Sequence, residues 1–539
     1  RPLTLPLRVC PSPRTGEGLP IDARHRRSPY RAAMKPLALS FLAGLASALA
    51  FEPVGAWPLM LVGIAALLWL VERAPSLRSA LARGWWFGFG QFALGLNWIA
   101  TAFTYQAAMP AWLGWVAVVV LSLYLAIYPA AAAGLAWRWG RGHKLALVLI
   151  FAAAWIVTEY LRAVLFTGFA WNPAGAALLP SGLAVLARWI GTYGLSAVAV
   201  LLGGALLLLA DGKPQRPAAA LLLAGLVGAA AAAWAFASEP PAGTGPSVRI
   251  VQPNIGQEQK WSPEFAARNM ARLEELSRPD GRPANLLIWP ESAVTETLQD
   301  ERRLLPYQLG TLATRRGLQS AIAPGQLLLT GGVTVVSADG MRATGATNSV
   351  FAMTADGAIL VRYDKAHLVP YGEYLPMRPI LSALGLSRLA PGDLDFVPGP
   401  GPRTLELPGV GAVGFQLCYE IIFSGEVVDP QHRPAFIFNP SNDAWFGAWG
   451  PPQHLAQARL RALEEGLPVV RATPTGISAV IDARGRLLHS IPLGEMGVID
   501  ARLPLPAPAT LFARFGNRLS FAFALLLVAA TIAVRRKAR

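Results

Sequence analysis

Charge is scarce in this chain of 539 residues: Lys, Arg, Asp and Glu make up 15% of it and hydrophobic residues 53%. An ordinary soluble protein carries roughly 25% charge. The deficit excludes a wholly water-solvated chain and points to a membrane protein with a soluble part. Acid is scarcer than base, with 32 Asp and Glu against 47 Lys and Arg and a net charge of +15. Much of the excess is terminal: residues 1–35 hold eight Lys/Arg and two acids, and Arg535–Arg539 adds four more bases. No basic groove interleaved with aromatics is visible, which argues against a nucleic-acid partner. Cysteine is almost absent, with Cys10 and Cys418 the only two. Cys10 lies in a Pro/Arg/Gly-rich stretch without apolar periodicity. Met34 is therefore expected to be the native start, and residues 1–34 a non-native or disordered extension. Cys418 then has no disulfide partner. The six histidines show no metal-ligand spacing such as HExxH, so neither a metal nor another cofactor is expected.

Long apolar runs are abundant. A membrane-spanning helix needs about 20 mostly apolar residues. Seven candidates precede residue 240: Pro36–Ala50, Trp57–Val71, Trp85–Phe103, Ala111–Trp137, Leu145–Leu165, Trp189–Ala210 and Ala218–Ala237. An eighth, Leu519–Val534, closes the chain. Base marks cytoplasmic loops. Arg73, Arg78 and Arg83 follow the second candidate, Arg138, Arg141 and Lys144 the fourth, and Lys213 and Arg216 the sixth. The loops between them are nearly free of base. This alternation predicts an inner-membrane protein with both termini inside and the segment between helices seven and eight on the periplasmic side.

That segment changes character, with more charge, more proline and short apolar runs. The expected organisation is a membrane domain at 35–240, a soluble domain at 247–503 and a final helix at 516–534. Strands are predicted at Val248–Gln252, Leu286–Trp289, Leu327–Val336, Ser349–Met353, Gly411–Leu417, Ala435–Phe438 and Gly476–Ile481. Helices are predicted at Pro263–Leu276, Leu304–Arg316 and Pro452–Glu465. Strands interleaved with helices imply a layered α/β domain.

Three residues placed after or between strand-like runs suggest thiol acyl-transfer chemistry. Cys418 ends an apolar stretch, and a thiolate attacks an acyl carbonyl well once a base takes its proton. Glu291, after Asn285-Leu-Leu-Ile-Trp-Pro, is a candidate base. Lys365 is a candidate for stabilising an oxyanion. Each has an ordinary alternative: an inert buried thiol, a strand-end acid, a solvated lysine. Glu159 and Arg162, three apart in the fifth apolar run, read as a structural ion pair, and Asp443 as a turn former. The base-free loop Phe166–Ala187, with Phe169, Trp171, Leu178 and Leu179, is expected to supply an apolar floor, and the loops 371–400 and 440–451 lids or packing.

Trp289-Pro-Glu291, Tyr363-Asp-Lys365-Ala-His-Leu-Val-Pro-Tyr-Gly-Glu373 and Cys418-Tyr-Glu420 together resemble the Glu-Lys-Cys signatures of the nitrilase superfamily. The extended lysine motif, Ser441-Asn-Asp-Ala-Trp-Phe-Gly447 and helices on both sides resemble the apolipoprotein N-acyltransferase family. The resemblance implies a multi-pass membrane domain of eight helices bearing an α-β-β-α nitrilase-like sandwich. It implies acyl transfer from a phospholipid donor to the α-amino group of a diacylated apolipoprotein acceptor, through a thioester. Glu291 would be the base, Lys365 the oxyanion-stabilising residue and Cys418 the nucleophile. Asn348, Glu373, Tyr419 and Glu420 would support the site, and Trp261 and Trp445 would contact substrate. A monomer is expected, since one chain holds the whole site. The alternatives are a membrane-tethered amidase with the same three residues, and a transporter with a periplasmic cap. No inverted repeat or ladder of intramembrane charge favours the transporter.

Overall fold

The computed structural model describes residues 29–105, 109–237, 239–241, 243–383, 385, 388–389 and 395–537. Cys10 and residues 1–28 of the expected extension lie outside them. The first helix runs Pro29–Ala48, so the expected boundary at residue 34 falls inside a helix.

Among the described residues, five helical stretches are long and apolar enough to cross a membrane: Leu113–Gly140, Lys144–Val164, Gly182–Ala210, Lys213–Ala235 and Arg518–Lys537. Met34–Ala48 and Pro58–Glu72 are apolar but shorter. The expected span Trp85–Phe103 is displaced: the helix is Leu77–Gly95. Its start is set by Ser76, whose hydroxyl accepts from the Ser79 N–H at 3.2 Å. A hydropathy window misses this turn because it carries Arg78 and Arg83. The buried Arg83 guanidinium is accommodated by donating to the Leu70 carbonyl. The bundle packs closely where small residues meet. A Cβ added at Gly44 would lie 2.0 Å from the Phe87 carbonyl oxygen, so the two backbones touch only through glycine.

Between the last two apolar helices lie two sheets. The strands are β1 (Thr244–Gln252), β2 (Leu286–Ile288), β3 (Thr297–Asp300), β4 (Leu327–Val336), β5 (Gly345–Met353), β6 (Ile359–Asp364), β7 (Thr404–Leu407), β8 (Gly411–Phe415), β9 (Phe436–Pro440), β10 (Val469–Ala472), β11 (Ser478–Ile481), β12 (Leu487–Ile491) and β13 (Gly497–Pro504). One sheet has the order β13-β1-β2-β4-β5-β6, with β3 pairing β4, and the other β12-β11-β10-β9-β8-β7. β1, β2 and β4 are mutually parallel, as are β8, β9 and β10. Their short, continuously apolar runs suit strands covered on both faces. Val248, Ile250, Ile288 and Leu329 of one sheet meet Phe415, Phe436, Phe438 and Val480 of the other.

Helices complete the layers. Pro263–Ser277 and Leu305–Leu318 cover the outer face of the first sheet through Leu273 and Leu318, against Leu287, Trp289 and Phe351. Gly450–Glu465 covers the second sheet and is also buried against the apolar helices of the bundle. Its Leu455, Leu460 and Leu463 share one core with Ile437 and Val469 of the sheet and with Leu195 and Val198 of the bundle. The α-β-β-α order is thus present, and its last layer is pressed between sheet and bundle.

Candidate active site

Glu291 follows β2 at a sharp turn, where the next residue, Ser292, has φ +49°. A glycine makes room for it: a Cβ on Gly331 of β4 would lie 2.7 Å from the Glu291 Cα. Lys365 is the first residue after β6. Cys418 lies just beyond β8 and opens the 3₁₀ turn Cys418–Ile422 with φ +48°, a left-handed conformation that costs a non-glycine residue about 1–3 kcal/mol. Parallel strands direct residues at their C-terminal ends to one edge of each sheet. The fold brings the three together, with exposures of 4%, 1% and 4%.

The Lys365 Nζ lies 3.0 Å from Glu373 Oε1 and 3.5 Å from Glu291 Oε1. Asn348, on β5, bridges the same two oxygens, its Nδ2 donating to each at 2.8 Å. Glu373 Oε2 accepts from the Val369 N–H at 2.8 Å. Burial disfavours the Lys365 ammonium, but the carboxylates of Glu373 and Glu291 outweigh it and raise its pKa, so it stays charged. The Cys418 thiol is pushed well above its usual range, first by burial and then by the Glu291 carboxylate, while Lys365 pulls the other way. The resting sulfur is therefore a neutral thiol that needs a base at the moment of attack.

Glu420 ties the cysteine turn to the lysine loop. Its Oε1 accepts from the N–H groups of Ala366 (2.7 Å) and His367 (3.1 Å), its Oε2 from that of Leu417 (2.7 Å), and the Tyr363 hydroxyl donates to both oxygens at 3.0 Å. Burial nevertheless pushes its pKa up to about 7. Tyr419 reaches the membrane half, donating to the Gly168 carbonyl at 3.1 Å. His367 does the same through Nε2, 3.2 Å from the Thr167 carbonyl, with its ring stacked on Phe423.

Trp261 is 37% exposed beside Lys260. Trp445 is half-buried, with Tyr105 of the membrane half edge-on at 5.9 Å. The predicted loops divide. Residues 384, 386–387 and 390–394 lie outside the described residues. The 440–451 stretch is packed, with Asp443, Ala444 and Phe446 buried. The expected apolar floor is corrected too. Trp171 and Leu178 are wholly buried in the bundle core, and of the large apolar side chains in that stretch Phe166 is the exposed one, at 87%. The Glu159–Arg162 pair builds the turn. Arg162 donates to the Phe169 and Trp171 carbonyls (3.0 and 2.7 Å), and Glu159 Oε1 accepts from the Ala174 N–H at 2.9 Å.

Sequence reasoning missed four residues at this site. Lys260 is buried and donates to the Glu291 carbonyl at 3.0 Å; desolvation lowers its pKa to about 8. Asp443, expected as a turn former, belongs to a fully buried cluster with His454 and Arg471. Cys418, Asp443 and His454 bring donor atoms within 4.8 Å of one another. Arg471 already occupies Asp443 Oδ2, and His454 Nε2 faces the Cys418 carbonyl, so the group is engaged in its own hydrogen bonds. The sequence carries no local signal for them: Arg471 lies within β10 and His454 within the Gly450–Glu465 helix, where a buried polar side chain needs a partner from elsewhere in the chain.

A neutral thiol beside a carboxylate, with a permanent cation at hand, can form and break a thioester. Cys418 shares one buried apolar core with residues of the helical bundle. Two family models match the chain: the apolipoprotein N-acyltransferase N-terminal domain over residues 43–205 and carbon-nitrogen hydrolase over residues 247–508. The apolipoprotein N-acyltransferase of Rhodopseudomonas palustris is 37% identical over 93% of this chain and 96% of its own. That of Caulobacter vibrioides is 39% identical over 92% and 94%. Among solved structures, a mutant amidase of the nitrilase superfamily from Nesterenkonia is 18% identical, covering 49% of this chain and 93% of its own, with a TM-score of 0.34.

Proposed function

Because the chain belongs to the apolipoprotein N-acyltransferase family, we propose that its buried Glu291–Lys365–Cys418 site performs that family's reaction through a thioester. The protein is an acyltransferase of lipoprotein biosynthesis. The donor is a phospholipid and the acceptor the free α-amino group of a diacylglyceryl-cysteine on an apolipoprotein. Glu291 takes the Cys418 proton, and the sulfur attacks the ester carbonyl carbon. The oxyanion is met by the Lys365 ammonium and the backbone N–H of Tyr419. Collapse breaks the ester C–O bond, and Glu291 returns the proton to the departing lysophospholipid oxygen. The acceptor amine then attacks the thioester and loses its proton to Glu291, and the released sulfur takes it back.

The observation that carries this reading is the convergence of a thiol, a carboxylate and an ammonium, 4%, 4% and 1% exposed, beside turns of the membrane half. Water must be kept from the thioester, and burial serves that end. Asn348 and Glu373 orient the Lys365 ammonium, Glu420 and Tyr419 position the cysteine turn, and Trp261 and Trp445 meet substrate. The chain divides into a membrane base at 35–240, a catalytic domain at 247–503 and a closing helix at 516–534. The two short apolar helices and Leu77–Gly95 complete eight spans in the inner membrane, and the alternation of basic loops supports a periplasmic catalytic side. The working unit is one chain.

Incubation of the purified protein with phospholipid should add the mass of one acyl group, and Cys418→Ala should remove that adduct. Supplying a diacylated lipopeptide should then discharge it as N-acyl product. Adduct persisting in Cys418→Ala would refute the nucleophile, and discharge to water alone would favour a hydrolase.

A further inference from the structure

A buried trio that the mechanism leaves unused grips the cysteine turn from behind. His454, on the Gly450–Glu465 helix, is 0% exposed. Its Nε2 lies 3.0 Å from the Cys418 carbonyl oxygen, and its Nδ1 lies 2.9 Å from Asp443 Oδ1 and 3.0 Å from Arg471 Nη2. A carbonyl can only accept, so Nε2 carries the hydrogen and donates it. This holds for either charge of the ring. A neutral ring accepts at Nδ1 from Arg471, and an imidazolium donates there to Asp443. Arg471 also donates to Asp443 Oδ2 (2.6 Å), to Ser441 Oγ (3.0 Å) and to Asn439 Oδ1, which anchors the trio at the ends of β9 and β10. The face of the ring packs on Trp171 of the membrane half at 5.2 Å, and the Trp171 indole N–H donates to Gln453 Oε1 at 2.8 Å.

The amide joining Cys418 to Tyr419 is planar and trans, so its C=O and N–H point in opposite directions. Fixing the oxygen fixes the hydrogen. Among the described residues no acceptor takes the Tyr419 N–H, whereas the next N–H, that of Glu420, bonds the Leu417 carbonyl at 3.1 Å. Cys418 is itself held at φ +48°, a conformation that persists only where its surroundings impose it, and the His454 bond is part of those surroundings.

We propose that His454, backed by Asp443 and Arg471, is a positioning residue for acyl transfer: by holding the Cys418 carbonyl it aims the Tyr419 N–H at the place where the oxyanion forms. The inference rests on the acyl-transfer reading above. Hydrogen bonding to the carbonyl also polarises the peptide and strengthens its N–H as a donor. Trp171, packed on the same ring, makes a membrane-half side chain part of the support.

The test separates aiming from packing. Attack on a phospholipid ester develops an oxyanion, whereas alkylation of the same sulfur by iodoacetamide, a displacement at saturated carbon, develops none. Both rates are measured on full-length protein in micelles, with the thermal midpoint as a check of folding. His454→Phe removes the donor, His454→Asn reaches only the place of Nδ1, and His454→Gln puts an amide nitrogen near the place of Nε2. Phe and Asn are expected to slow acyl-enzyme formation by about 10²–10³, the usual cost of an oxyanion donor, with alkylation within about threefold of the unmodified protein. Gln is expected to stay within about tenfold in both. Should His454→Phe not fold, the Asn and Gln variants carry the comparison. Acylation undiminished in the Phe and Asn variants, or acylation and alkylation falling in parallel, overturns the proposal. Failure of the acyl-transfer reading looks different: the unmodified protein would be alkylated yet form no adduct with phospholipid.

Discussion

Replacing Lys365 with methionine removes a cation from within 3.0 and 3.5 Å of two buried carboxylates, Glu373 and Glu291. Their facing oxygens then share only the Asn348 amide, at 2.8 Å to each. Breaking a buried pair from one side costs about 3–5 kcal/mol, because the charge left behind is neither solvated nor paired. At about 2–4 °C per kcal/mol for a domain of this size, the midpoint should drop by about 6–20 °C at pH 8. The deficit should depend on pH. Two like charges that lose their shared ammonium repel, with Lys260 left beside Glu291, so part of the cost is absent when one carboxyl is protonated and grows as pH rises. Lowering the pH to about 5 should therefore recover a substantial part of the loss. In the unmodified protein the Lys365 pKa is raised. Its contribution is thus complete below the unfolded value near 10.5 and is lost only as pH rises through the folded value. Adding Glu373→Gln to Lys365→Met should restore most of the stability while acyl transfer stays lost. The assay is a thermal ramp followed by tryptophan fluorescence, repeated across pH, beside a measurement of acyl-enzyme formation. A deficit that ignores pH, or one that Glu373→Gln deepens, would refute the reasoning.

Burial pushes the Glu420 pKa up to about 7 from its ordinary 4.5, so its stabilising share is present at low pH and lost as pH rises through 7. Glu420→Gln should flatten the stability profile between these values by about 3 kcal/mol, while leaving the Leu417 N–H without its acceptor at a cost of about 1–3 kcal/mol; chemical denaturation across pH measures both. Arg162→Met should cost about 3–5 kcal/mol and reduce acyl-adduct formation, because the Phe169 and Trp171 carbonyls lose their donor and Glu159 its partner. Adding Glu159→Gln should return part of the stability, as read from the thermal midpoint.

The candidate triad was legible because Glu291 and Cys418 stand at the ends of short apolar runs with Lys365 between strand-like segments, and because a chain with two cysteines offers few nucleophiles. The strands that alternate or run apolar were visible, Leu327–Val336 with its boundaries and Val248–Gln252 and Ser349–Met353 short of their true starts at Thr244 and Gly345. β3, β6, β7, β10, β12 and β13 were not, because edge strands and strands whose ladders carry Arg, Glu or Asp lack a hydrophobic period. The Leu77–Gly95 helix was displaced because Arg83 is satisfied by a carbonyl that a hydropathy window does not see. Asp443, His454 and Arg471 are separated by 28 positions along the chain and meet only through the parallel pairing of β9 with β10 and the helix between them. Nothing local marks such a cluster. Lys260 was hidden for a related reason: its partner is a backbone oxygen, which leaves no trace in residue type.

The helix Gly450–Glu465 has almost no side open to water, since sheet and bundle close on it from opposite directions. A truncated protein starting at β1 would therefore bare a greasy flank under its own nucleophile, and would be expected to aggregate rather than serve as a water-soluble reagent. Surfactants that loosen the bundle would likewise be felt at the sulfur, so the choice of solubilising medium becomes part of the enzymology.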